Sequence, residues 1–456
     1  MALVHELAAF VKQASYQQLS SQAIQQLKIR ILDSLGTAIG AVEGEPVRLI
    51  RDHIEEFTHT GTNTLIGGGT TSPDLAALYN SALVRYLDFN DSYLAPGETC
   101  HPSDNLGAML AAGEYHAIDG KSLLTALAVA YQVQCRLSDE APVRAKGFDH
   151  TTQGAYAVAA GSAKALDLSP EKIANAIAIS ATPLNALRVT RTGALSHWKG
   201  LAYPYTAFGA TVSTFLAKRG ITGPPEVFEG NKGFQESIAG TFAIDWARED
   251  LERVTRTIIK QFNAEIHSQA TLEGTLELQK EHRIRPEQID RITIDTFDVA
   301  YNIIGGGEEG DKTVVHTKEE ADHSLNYLTA VALLDGQVLP AQYRQDRIGR
   351  DDVQSLLKKI HIQPDEAFSR RFPEAMPCRI TVRMQNGDEY SVEKNDYEGF
   401  HTRPMSWETV SGKFEALAAP YTTPALRQHI METVDDLEHH AVKDLMELLS
   451  QVRLSQ

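Results

Sequence analysis

Cysteine is scarce in this 456-residue chain: Cys100, Cys135 and Cys378 stand far apart and form no C-x-x-C pattern. A zinc ribbon, an iron–sulfur cluster or a disulfide framework needs more thiols at closer spacing, so none is expected. The usage suits a reducing compartment, and the expected location is the cytoplasm. Long apolar runs are missing as well. No stretch approaches the roughly 18 apolar residues that a transmembrane helix requires, and Met1–Glu6 lacks the basic start and apolar run of a secretory signal. Positive charge is in short supply: 43 basic residues face 60 acidic ones, for a formal net charge of −17. Such a surface repels polyanions, which argues against nucleic acid and membrane as partners. It still leaves room for a small anionic ligand in a local basic pocket.

Cofactor signatures are absent too. The chain has no Walker loop, no G-x-G-x-x-G after a strand, no G-x-S-x-G elbow and no H-E-x-x-H. Gly120-Lys121-Ser122 has only the tail of a Walker loop, and Gly67-Gly68-Gly69 has no lysine behind it. The histidines show no pair at convincing metal-ligand spacing. Neither a metal nor an organic cofactor is expected, and no internal repeat or low-complexity segment is visible.

What is present reads as an ordinary globular protein, 42% hydrophobic and 23% charged, long enough for two domains. Helical periodicity runs through Leu19–Leu35, Leu75–Leu87 behind Ser72 and Asp74, Leu123–Val133, Thr152–Leu166 and Tyr205–Lys218. Ser169-Pro170-Glu171 has the order of a helix start: an N-cap serine, proline in the first turn and an early acid. Past about residue 266 the texture changes. Gln288–Phe297, Lys359–Gln363 and Cys378–Met384 alternate apolar and polar residues as strands do, and Asn386-Gly387 marks a hairpin into Glu389–Val392. Helices return at His323–Leu334, at Asp351–Lys358 and from about Ser406, and the acidic, glycine-rich Gly305–Asp311 reads as a mobile loop. The pattern predicts a mainly α protein. A large all-helical domain is built from both chain ends (1–266 and 404–456), and a smaller α+β domain (267–403) is inserted in it.

Four polar clusters could carry chemistry. Asp88-Phe89-Asn90-Asp91-Ser92 is followed closely by His101-Pro102-Ser103-Asp104-Asn105, which puts His101 at a helix N-terminus, where a neutral imidazole and a nearby anion are favoured. The competing reading is a polar interhelical loop whose Ser103 or Asp104 merely caps. In Lys146–Thr152, Asp149 either orients His150 or caps the alanine-rich helix behind it. Arg188, Arg191, His197 and Lys199 bring three cations and a histidine into twelve residues of an acidic protein. They form either a carboxylate site, which arginine can grip through two parallel hydrogen bonds, or surface charge. Lys260–Gln269, with His267, lies at the change of texture, where a domain hinge is a favoured place for a small-molecule site. His323 opens a helix with Tyr327 four residues on, and a tyrosine there is more often core than catalytic.

Taken in order, these strings resemble the MmgE/PrpD family. Leu87-Asp88-Phe89-Asn90-Asp91, His101-Pro102-Ser103-Asp104-Asn105-Leu106-Gly107, Gly147-Phe148-Asp149-His150, Leu187-Arg188, Trp198-Lys199 and His267-Ser268-Gln269 carry the resemblance, which spans essentially the whole chain. It implies a helical body with an α+β lid, a homodimer, no metal, and a site for a small anionic carboxylate between body and lid. Residue by residue it implicates Asp88, Ser92, His101, His150, Lys199, Lys260 and Tyr327. Arg188, Arg191 and His267 join them as substrate-binding candidates. The family's activities include 2-methylcitrate dehydratase, cis-aconitate decarboxylase and an iminodisuccinate epimerase. His-Pro-Ser-Asp-Asn looks more like the dehydratase branch, so the expected activity is dehydration of 2-methylcitrate, with decarboxylation or epimerisation as alternatives and a non-catalytic scaffold last. The segments Tyr93–Cys100 and Leu201–Tyr205 depart from the family pattern and leave the substrate open.

Overall fold

The computed structural model of the chain describes residues 2–57, 60–193 and 195–454. It divides into two compact units. One comprises Met1–Thr190, Gly200–Thr257 and Ser406–Gln456, and the other Arg191–Lys199 and Ile258–Met405. Helices dominate and the sheets are small, so the protein is mainly α as the periodicity predicts. Among the described residues no helix is long and apolar enough to cross a membrane.

In the first unit the apolar periodicity becomes helices close to where it is read. Ser20 caps the Ser21–Gly40 helix by accepting from the Ala23 amide at 3.0 Å. Ser169 accepts from the Lys172 amide at the head of Pro170–Ala181. The alanine-rich segment forms Thr151–Ala165, every residue of which is buried except Lys164. One boundary differs. The helix expected at Tyr205–Lys218 begins at Trp198 and carries Pro204 inside it; proline gives up one intrahelical hydrogen bond there. Lys199 therefore stands on a helix and not in a loop. From the C-terminal stretch, Trp407–Ala418 packs on Ser21–Gly40, with Lys413 2.7 Å from buried Asp33.

Two short hairpins interrupt the run of helices expected over residues 3–265. Asn63–Thr64 pairs with Thr70–Thr71, and Tyr93–Ala95 pairs with Glu98–Cys100 about a Pro96-Gly97 turn in which Gly97 has a φ of 78°. Two residues pair on each side of the first and three on each side of the second, too few for alternation to be read from sequence. The second hairpin matters for the site. Its register sets Tyr93 opposite Cys100, so the chain returns with His101 beside Ser92.

The helix Leu106–His116 lies against Pro73–Tyr86, and Gly107 is at the contact. A Cβ on Gly107 would fall 2.4 Å from the Ser81 amide nitrogen, a backbone atom that cannot step aside. Gly107→Ala is expected to destabilise the protein by about 1–3 kcal/mol, the usual range for overpacking. A urea midpoint equal to that of the unaltered chain would refute this account of the glycine.

The second unit carries a four-stranded sheet in the order Ile360–Pro364, Ile289–Thr296, Cys378–Met384, Glu389–Lys394. The first pair is parallel and the others antiparallel. Alternation has its usual cause. Cys378, Ile380, Val382 and Met384 are buried on one face, where the Gln269–His282 helix packs. Gly387 takes a φ of 93° in the hairpin turn that the Asn-Gly pair predicts. Ser324 caps Leu325–Asp335 by accepting from the Tyr327 amide. His323 thus precedes the cap and lies outside the helix that the sequence reading has it open.

Candidate functional site

In the first unit the polar network starts where Pro73–Tyr86 ends. Asp88 adopts a φ of 54°, a left-handed value that costs energy for a residue with a Cβ. Arg85 holds it, with Nη1 2.6 Å from Asp88 Oδ1, and reaches Asp104 at 3.6 Å. Asn90 donates to Ser103 Oγ at 2.8 Å and to Asp104 Oδ1 at 2.7 Å. Asp91 is fully buried, which pushes its carboxyl pKa up, but three donors oppose the shift. The Ser103 amide and hydroxyl donate to Oδ1 at 3.0 and 2.6 Å, and the Tyr131 hydroxyl donates to Oδ2 at 2.8 Å.

His101 is fixed against the same residue. Its Nδ1 lies 2.8 Å from the Asp91 carbonyl oxygen and 3.1 Å from Ser92 Oγ. A carbonyl only accepts, so Nδ1 carries the proton and, in the neutral ring, Nε2 holds the lone pair. His150 stands edge-on to it with ring centroids 5.3 Å apart, and the Tyr203 ring stacks 6.3 Å from His150. Tyr203 is held in turn by donating to Asn105 Oδ1 at 2.9 Å.

Asp149 combines the two roles left open by its sequence. Oδ1 accepts from the Thr151 amide at 3.2 Å, a capping bond, and lies 3.7 Å from His150 Nε2. Its other oxygen is 3.6 Å from Arg188, whose amide donates to the Gly147 carbonyl at 2.9 Å. Asp88, Ser92, His101, His150 and Arg188 are thus gathered into one set of contacts, all but Arg188 being buried. A neutral imidazole with an oriented lone pair can accept a proton, and an imidazole beside a carboxylate can carry one.

The second unit holds a strongly charged cluster. Lys199 Nζ lies 2.9 Å from Asp322 Oδ1 and 3.0 Å from His323 Nδ1. His323 Nδ1 is itself 2.6 Å from Asp322 Oδ1, and Lys318 takes the other oxygen at 2.6 Å. Burial would raise the Asp322 pKa, but Lys199, Lys318 and His323 outweigh it and hold the carboxyl far below its usual range. Glu265 accepts from the His267 amide and faces His267 Nδ1, both at 2.7 Å. Here too burial acts upward, and His267, His323 and Lys260 prevail, bringing Glu265 down to about 2. Lys260 and Arg191 are buried, while His197 is exposed. The Tyr327 hydroxyl donates to the Gln342 backbone carbonyl and its ring lies 6.3 Å from that of Tyr343.

Asp322, Glu265, Asp91 and Arg85 were not singled out from sequence. A signal for Asp322 existed. Asp322-His323-Ser324 before an apolar helix repeats the order of Asp149-His150-Thr151, an acid–histidine pair at a helix N-terminus.

The depressed Glu265 pKa has a consequence for stability. An acid whose folded pKa lies below its unfolded value contributes stability that is complete above the unfolded value and disappears as pH falls through the folded one. For Glu265 the window runs from about 4.5 to about 2, and the contribution is about 3 kcal/mol at 1.36 kcal/mol per unit. The stability read by urea unfolding of the intact chain should therefore fall between pH 5 and 2, and Glu265→Gln should remove that part of the fall. An identical pH profile for the variant would contradict the assignment.

Fold and side chains together describe a mainly helical protein with two buried, adjoining histidines in its first unit and buried cations in its second. Two family descriptions match it in succession, the MmgE/PrpD N-terminal domain over residues 5–247 and the MmgE/PrpD C-terminal domain over residues 262–439. The chain belongs to the MmgE/PrpD family. Cis-aconitate decarboxylase of Mus musculus is 25% identical to it, over 96% of this chain and 91% of the relative. The 2-methylcitrate dehydratase of Escherichia coli strain K12 is 28% identical, over 82% of this chain and 81% of the relative. The mitochondrial 2-methylcitrate dehydratase of Yarrowia lipolytica is 25% identical, over 81% and 74%.

Proposed function

We propose that this protein is a metal-independent lyase that removes water from a small tricarboxylic hydroxy acid, taking 2-methylcitrate to 2-methyl-cis-aconitate. The observation that carries the reading is the buried pair of imidazoles 5.3 Å apart, one with its Nδ1 tied to a main-chain carbonyl. Dehydration needs two proton-transfer groups of complementary state. His101 Nε2 takes the proton from the carbon next to a carboxylate. His150, 3.7 Å from the Asp149 carboxylate, gives a proton to the departing hydroxyl, which leaves as water while the double bond forms. Arg188, Lys199 and Lys260 bind the carboxylates and stabilise the enolate-like charge as it grows, which is where binding energy becomes rate. Asp88 and Ser92 hold the loop and the His101 ring, and Arg191 and His267 are further substrate-binding candidates. Tyr327, whose hydroxyl donates to the Gln342 carbonyl, is a further catalytic candidate.

A second reading, decarboxylation of cis-aconitate, is supported by the coverage of the murine decarboxylase, 96% of this chain against 82% for the bacterial dehydratase. It uses the same cations and a proton donor but starts from the unsaturated acid. Chelator-treated protein incubated separately with 2-methylcitrate, citrate and cis-aconitate, followed by NMR, separates the two. An unsaturated acid formed from 2-methylcitrate supports the dehydratase. Carbon dioxide and itaconate from cis-aconitate replace it with the decarboxylase. No turnover of any of the three removes both.

A further inference from the structure

We propose that Asp91, anchored by Tyr131 and Ser103, is a positioning residue that sets the tautomer of His101; the inference rests on His101 acting as the proton acceptor. Asp91 is clasped at both of its ends. Its carboxylate receives the Ser103 amide, the Ser103 hydroxyl and the Tyr131 hydroxyl, and its carbonyl oxygen faces His101 Nδ1 at 2.8 Å. Ser103 follows His101 by two residues, so the Asp91–Ser103 clasp closes the loop that contains the Tyr93–Cys100 hairpin. Tyr131 belongs to a different element, the Gly120–Glu140 helix, and supplies an anchor outside that loop. Asp91, Ser103 and Tyr131 are at most 2% exposed, so water does not readily replace a lost partner.

This arrangement differs from a carboxylate hydrogen-bonded to an imidazole. Here the side chain holds its own backbone, and the backbone carbonyl selects the ring proton. A carbonyl gives no choice of tautomer, whereas Ser92 Oγ, 3.1 Å from the same nitrogen, can donate or accept and would allow either. If Asp91 lets its carbonyl move away, Ser92 can donate to Nδ1, the proton moves to Nε2, and the lone pair needed for proton abstraction is on the wrong side of the ring.

The test is long-range 1H–15N NMR of the full chain labelled with 15N-histidine, with His101 assigned by its absence in His101→Gln. In the unaltered protein His101 is expected as the Nδ1–H tautomer. In Asp91→Asn, and in Tyr131→Phe, which deletes a single oxygen, the Nε2–H fraction should rise. On whichever acid the protein turns over, kcat should fall about 10- to 100-fold, as for other groups that orient a catalytic histidine, with KM within about twofold. A His101 that is already Nε2–H in the unaltered protein overturns the inference. So does a folded Asp91→Asn or Tyr131→Phe protein with unchanged tautomer and kcat. The tautomer is read without substrate, so a protein that turns over none of the three acids refutes the proposed function while the spectrum still decides the role of Asp91.

Discussion

Replacing His101 by glutamine should lower kcat by about 10²–10⁴-fold, the range contributed by a positioned general base, while leaving the far-ultraviolet spectrum and urea midpoint close to those of the unaltered chain. Glutamine keeps an amide N–H that can reach the Asp91 carbonyl, now held at 2.8 Å from Nδ1, so the hairpin that delivers residue 101 has no reason to open. What it lacks is the ring nitrogen opposite. His150→Gln should have an effect of similar size, because proton removal and departure of the hydroxyl are parts of one reaction. The double variant decides whether the two rings work together. Groups that act as a unit lose most of their effect with the first substitution, so the pair should fall little below the worse single variant. Losses that multiply would mean that the rings act in separate steps. A His101→Gln protein with undiminished turnover would end the acid–base reading, and the edge-on contact at 5.3 Å would then be packing alone.

Asp322→Asn should cost about 3–5 kcal/mol of stability, the range for breaking a buried ion pair from one side. Asp322 is completely buried, with Lys199 and His323 on one oxygen and Lys318 on the other. The uncharged amide removes the carboxylate that two lysines share and turns an N–H toward them. The strong depression of the Asp322 pKa by these cations expresses the same coupling from the side of the acid. Urea titration of the variant reads the loss directly. A change below about 1 kcal/mol would show that the cluster is solvated like an exposed pair, for which values of that size are usual. Lys199→Ala is milder by the same reasoning, since Lys318 and His323 remain on Asp322, and it separates the stabilising role of the cluster from any role of Lys199 with substrate.

Sequence by itself determined the fold class and most of the elements. The apolar period, together with Ser169 at its helix start, marks helices, and the alternation in Cys378–Met384 and the Asn386-Gly387 pair mark the sheet. These signals are local, because a cap or a turn is decided within four residues. Sequence also singled out Asp88, Ser92, His101, His150 and Arg188, whose types and order were legible before their contacts were. It did not show the Tyr93–Cys100 hairpin, too short to alternate, nor that Trp198 begins the helix despite Pro204. Only the tertiary structure decided the partners. Asp91 meets Tyr131 across 40 residues and Lys199 meets Asp322 across 123, and nothing in either local sequence names the other. Which polar groups meet at such distances is settled by how apolar faces pack, and packing then determines which carboxylate is charged, which ring nitrogen holds the proton and which tyrosine is spent in the core.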